Sequence, residues 1–96
     1  MEKEEIIKEV LGIIRRHLPA GEFQVLLFGS WAKNSAEPTS DIDIGILGPK
    51  AIDGILLMRI KEEIRGIPTL RRIDVVDLKE TDEEFRKEVL SYAKVL

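Results

Sequence analysis

The sequence predicts a small mixed α/β (α+β) fold: a sheet of about three to four strands with helices packed against it. Three observations carry this. Apolar residues recur at helical spacing in three separate segments. Between those segments lie three short apolar runs of strand length. Gly and Pro punctuate nearly every boundary, so helix and strand alternate along the chain.

The first helix is predicted over 3–17, where Ile7, Val10, Leu11, Ile14 and Leu18 recur among Lys, Glu and Arg, and Pro19 and Gly21 stop it. EFQVLLF, 22–28, is a mostly buried strand ending at Gly29. NSAEPTS, 34–40, is loop by composition. Over 41–47 the pattern alternates, with Asp41, Asp43 and Gly45 on one face and Ile42, Ile44 and Ile46 on the other. Gly48-Pro49 ends that strand, and Pro is tolerated in the first turn of the helix expected next. Ile52, Ile55, Leu56, Ile60 and Ile64 are its buried stripe, and Gly66 and Pro68 end it. RRIDVVDL, 71–78, is a third strand. Thr81 and Glu84 then form a capping-box pattern for a last helix whose inner face is Phe85, Val89, Tyr92 and Leu96.

Composition bounds the function. Ninety-six residues, 44% apolar and 34% charged, fit one folded domain with a modest core. A net charge of -3 argues against a nucleic-acid surface, which is usually strongly basic. The absence of cysteine excludes disulfides, thiol catalysis and zinc fingers. No apolar stretch is long enough to span a membrane, and the opening MEKEE is acidic, unlike a signal peptide. The expected location is the cytoplasm.

Asp41 and Asp43 carry the first chemical signal. Side chains two apart on a strand stand side by side, and two carboxylates so close raise each other's pKa unless a cation lies between them. Oxygen ligands on few residues suit magnesium, which takes its other ligands from water and phosphate. The plainer reading of Asp-x-Asp alone is a solvated strand end. Gly29-Ser30 directly follows a strand; glycine lets backbone approach a ligand, and a turn opening a short helix presents N–H groups to an anion. Asp74 lies inside an apolar strand, where a charge needs a partner: it can join the Asp41–Asp43 pair, or be an edge-strand aspartate or a pair with Arg71 or Arg72. Ser40 can fix the approach to Asp41 by a local hydrogen bond. Asp77 is a rival third carboxylate, but strand parity puts it on the opposite face from Asp74, so only one of them can meet the pair.

Taken together, "GSWAKNSAEPTSDIDIGIL" with the later Asp74 resembles the signature of the polymerase-beta-like nucleotidyltransferases, in particular the minimal nucleotidyltransferase family. The resemblance spans about 20–80 and implies a polymerase-beta-like fold. By it, Gly29 and Ser30 hold the terminal phosphates of a nucleoside triphosphate, with Ser40 and Lys33 also in the nucleotide site. Asp41 and Asp43 bind two magnesium ions. Asp74 ligates the catalytic ion and helps deprotonate the attacking hydroxyl, so that a nucleoside monophosphate, expected to be AMP from ATP, is transferred. Many members carry Arg-Gly where this chain has Lys33-Asn34. Lys keeps the charge and loses the bidentate fork. So short a chain takes its acceptor from another molecule. In this family that is typically a helical HEPN-type ribonuclease toxin, to which the nucleotidyltransferase is the antitoxin. A non-catalytic nucleotide-binding subunit and transfer to a small molecule are the alternatives.

His17 is expected to serve the C-terminus of its helix rather than a metal. Trp31 could stack on a base, cover the sheet edge or meet a partner. Tyr92 is read as core.

Overall fold

The computed structural model describes residues 2–33 and 41–96. The elements run α1 (Lys3–His17), β1 (Gln24–Phe28), a 3₁₀ turn (Gly29–Trp31), β2 (Ile42–Leu47), α2 (Gly54–Arg65), β3 (Ile73–Asp77), a second 3₁₀ turn (Leu78–Glu80), α3 (Glu83–Tyr92) and β4 (Lys94–Val95). The sheet order is β3-β2-β1-β4. β1 is antiparallel to β2 and β4, whereas β2 and β3 are parallel and joined through α2. The loop expected over 34–40 lies outside the described residues.

The alternation along β2 decides which face goes where. Ile42, Ile44 and Ile46 are fully buried with Val25 and Leu27 of β1 in the larger core, beneath α1 and α2. Each such isoleucine contributes roughly 1.5–3 kcal/mol of burial. The opposite face carries a smaller core of Leu26, Phe28, Leu78 and Val89, covered by α3. Gly45 belongs there, where a Cβ would meet Leu78 Cδ1 at 2.9 Å, so the second 3₁₀ turn can lie directly on β2.

α1 places Glu4 and Glu5 in its first turn and Arg15, Arg16 and His17 in its last, matching the helix dipole. His17, at that last turn as expected, uses Nε2 to bond the Glu63 carboxylate of α2 at 2.9 Å, and Arg16 donates to the same carboxylate at 2.7 Å. The hydrogen bonds from Arg16 and then His17 hold the Glu63 carboxyl below its ordinary pKa. Arg15 donates to the Phe23 carbonyl at 2.7 Å, tying the helix to the entry of β1.

Four expectations are corrected. Pro49 does not open α2. Residues 48–53 remain non-helical, and the helix starts at Gly54 behind Asp53, whose carboxylate accepts from the Leu56 N–H. The stripes of α1 and α2 are rotated from those expected. Ile6 and Ile13 are buried where Ile7 and Leu11 are only partly so, and Ile55 is 68% exposed. The N-cap of α3 is Asp82, which accepts from the Phe85 N–H at 2.8 Å, and the Thr81 hydroxyl instead donates to the Leu78 carbonyl. Finally, α3 ends at Tyr92. Lys94–Val95 turns back as the fourth strand, and Leu96 reaches the main core from there, its N–H donating to Val25 at 2.8 Å.

Candidate active site

β1 ends at Phe28, and the chain turns immediately through Gly29 with φ of +74°. That left-handed backbone favours glycine. A second constraint acts there, because a Cβ on Gly29 would occupy the position of the Asp43 carboxylate. The Gly29-Ser30 turn and Asp43 are therefore packed against one another. This follows from the register, which pairs Phe28 with Asp43 across β1 and β2. Asp43 is paired in turn with Asp74 across the parallel β2–β3 ladder. The expected juxtaposition of Gly29, Asp43 and Asp74 on one end of one sheet face is present.

Asp41 is exposed and immediately precedes β2. Its charge is felt at Asp43: burial first, then the carboxylates of Asp74 and Asp41, push the Asp43 carboxyl above its ordinary pKa, with Arg72 pulling the other way. Asp74 has a second neighbour, since Arg72 Nε donates to its Oδ1 at 3.2 Å. The readings of Asp74 thus coexist: it stands on the edge strand, faces Asp43 and is paired with arginine. Asp77 lies on the other face, as parity requires. It is 4% exposed and accepts from the N–H groups of Ile52 at 2.8 Å and Lys79 at 3.0 Å, so it is a structural carboxylate that anchors the chain before α2.

The donor chemistry suits a hard divalent cation: carboxylates crowded on one face, one of them raised in pKa by burial and then by the others, gain from a cation that neutralises them. Among the described residues no set of three or more His, Asp or Glu side chains stands close enough to hold a metal ion as it is.

Around this centre lie groups whose partners the sequence does not announce. The Gly29 N–H donates to the Tyr92 hydroxyl at 3.0 Å, so the end of α3 closes on the turn. Lys33 Nζ sits 4.5 Å over the Tyr92 ring. Tyr92 contacts both cores, as expected, but its hydroxyl reaches the candidate site. A tyrosine on an apolar stripe signals burial and leaves open where the hydroxyl points. Trp31 is half-buried against the main core, with Lys3 Nζ 4.6 Å and Arg71 Cζ 5.1 Å from its ring centroid. Ser30 is half-buried within the turn. Ser40 and Asn34 lie outside the described residues.

Residues 23–96 match the family model described as Polymerase beta, Nucleotidyltransferase. The chain belongs to the polymerase beta nucleotidyltransferase family. Within it, the chain is a homologue of the minimal nucleotidyltransferase MntA. A protein of Haemophilus influenzae named "Probable protein adenylyltransferase MntA" is 31% identical over 85 residues, which is 88% of this chain and 73% of that one. Among solved structures, a toxin–antitoxin complex with AMP-PNP superimposes with a TM-score of 0.73 at 22% identity, covering 92% of this chain and 69% of that one. A complex of a tri-AMPylated HEPN toxin with its MNT antitoxin, from Shewanella oneidensis, gives 0.69 at 22% identity over 99% of this chain and 71% of the other. At such identities the structural likeness establishes the polymerase-beta-like fold. No described helix is long and apolar enough to cross a membrane.

Proposed function

We propose that this protein transfers AMP from ATP to a side-chain hydroxyl of a HEPN-type partner and thereby acts as its antitoxin. The carrying observation is the Asp43–Asp74 pairing on one face, directly beside the Gly29-Ser30 turn. The 31% identical MntA, named an adenylyltransferase, and the AMP-PNP and AMPylated-toxin contents of the structural relatives support the reading. Its location in the cytoplasm and its organisation as one catalytic domain at 1–96 belong to the same proposal.

In this reading the Gly29-Ser30 turn, with Lys33 and Ser40, receives the triphosphate. Asp41, Asp43 and Asp74 would hold magnesium, two ions in all, which would supply charge neutralisation at the α-phosphate and the departing pyrophosphate. Asp74 accepts the proton of the acceptor hydroxyl. The hydroxyl oxygen bonds to the α-phosphorus, the bond to the bridging oxygen breaks, and pyrophosphate leaves. Arg72, whose Nε donates to Asp74 Oδ1, orients that carboxylate.

Intact-mass spectrometry of a HEPN-type partner, expressed with and without this protein, is the test. One or more AMP additions that disappear with Asp41→Ala are expected. No addition, with toxicity still suppressed by the Asp41→Ala protein, would withdraw the enzymatic reading in favour of neutralisation by binding.

A further inference from the structure

The other side of Asp74 opens into a feature the proposed reaction leaves unused. Between the end of α2 and β3 lies a cleft of about 530 Å³, lined by Lys61, Arg65, Arg71 and Arg72, with Asp74 as its one acidic residue. The rest of the lining is largely Ile and Val. In a chain of net charge -3, this gathers four of 15 basic residues at one place.

Two of these cations are already engaged, Arg65 with Glu62 and Arg72 with Asp74. Lys61 and Arg71 have no carboxylate partner among the described residues. Arg71 is held by its contact over Trp31, yet its Nη1 is buried with no hydrogen-bond acceptor among the described residues. A buried donor left unpaired is destabilising, the more so when it is charged, and an incoming anionic oxygen would relieve it. The cleft also runs along β3, the edge strand of the sheet, whose outer side has no strand partner among the described residues. An extended polypeptide can pair along the free N–H and C=O groups of an edge strand through several residues at once. The Gly29-Ser30 turn, where the triphosphate is placed, lies two strands away at the end of β1.

We infer that this cleft docks an acidic, extended segment of the acceptor protein and so brings its hydroxyl to Asp74. The inference rests on the transfer reading above. Lys61 and Arg71 take carboxylates of the segment, and its backbone lies against β3.

The probe is a fluorescein-labelled peptide of eight glutamates and one tyrosine, titrated without ATP at low salt. Binding that weakens with added NaCl is expected, with amide shift changes confined to Lys61–Val75. Lys61→Glu combined with Arg65→Glu, both exposed positions, lowers affinity at least tenfold, and Arg71→Lys lowers it less. Equal affinity for wild type and the double variant, or shift changes elsewhere, overturns the inference. Displacement by pyrophosphate at a lower concentration than the peptide itself also overturns it, by marking a phosphate site. A parallel measurement of AMP transfer to a HEPN-type partner separates the two proposals. The double variant raises KM for the partner while kcat and ATP affinity stay unchanged. Peptide binding at the cleft with no transfer by wild type defeats the transferase reading alone. Equal transfer by both proteins defeats the cleft alone.

Discussion

The Gly29 N–H is bonded to the Tyr92 hydroxyl at 3.0 Å, linking the turn after β1 to the last residue of α3 across 63 positions of sequence. Lys33 lies over the same ring, so one side chain organises both ends of the candidate phosphate turn. Tyr92→Phe keeps the ring packing and removes the acceptor. Loss of about 1 kcal/mol is expected in chemical denaturation, the net value of one such bond. ATP affinity in calorimetry does not weaken, because the freed N–H is available to phosphate. A tenfold loss of ATP affinity would instead assign the hydroxyl to the nucleotide.

Gly29 and Gly12 make a matched pair. At Gly29, alanine is strained by the positive φ and collides with the Asp43 carboxylate. Gly29→Ala should cost about 2 kcal/mol or more and abolish ATP binding. Gly12 lies inside α1, exposed, and a Cβ added there would meet nothing within 4 Å. Gly12→Ala should raise stability by about 0.5–1 kcal/mol and leave ATP binding unchanged. Thermal melts and calorimetry of the two variants check both statements.

Asp43 is expected to cost the metal-free fold stability at neutral pH. Its carboxyl titrates above the ordinary aspartate value in the folded state, through burial and then through Asp74 and Asp41. A carboxyl raised on folding favours the folded state fully only below its unfolded pKa, and that contribution is lost as pH rises through the folded value. Asp43→Asn removes the ionisation, so in metal-free buffer it should melt higher than wild type at pH 7. The gain is no more than about 1 kcal/mol, because the group is partly solvated. The difference should close below the ordinary carboxylate range. Added magnesium should raise the wild-type melting temperature and leave the variant's unchanged.

The geometry of the candidate site was legible because its logic is one-dimensional. Strand parity separates Asp43 from Ile42 and Ile44, and Asp74 from Asp77, without any knowledge of tertiary contacts. The boundaries of α2 and α3 were not legible for the opposite reason. Asp53 displaces Pro49 as a helix start because a distant group fixes the preceding chain, through the bond from Ile52 to Asp77, and Asp82 displaces Thr81 because the Thr81 hydroxyl is already bonded to the Leu78 carbonyl. β4 was hidden because Lys94–Val95 is too short to show a period, and its register is imposed by β1. Tyr92 and Arg72 reach the site through side-chain direction, which spacing does not encode.

Asp74 and Asp77 give the decisive comparison, since they differ by three residues and by the face they occupy. Asp74 is half-buried, faces Asp43 and accepts from Arg72 in a partly exposed pair. Asp74→Asn should change stability by less than about 1 kcal/mol, the usual worth of such a pair, while transfer of labelled AMP to the partner disappears. Asp77 uses both carboxylate oxygens, Oδ2 for Ile52 and Oδ1 for Lys79, in a buried position. Asparagine offers one oxygen, so its amide must face one of those donors and a buried N–H loses its acceptor. Asp77→Asn should therefore cost about 1–3 kcal/mol, and Asp77→Ala more. Transfer per folded molecule, measured well below the melting temperature, should stay near wild type for Asp77→Asn. The two variants thus dissociate: one is folded and inactive, the other less stable and active. An Asp77→Asn protein that folds normally and transfers nothing, beside an Asp74→Asn protein that still transfers AMP, would reverse the assignment and place the reaction on the opposite face of β3.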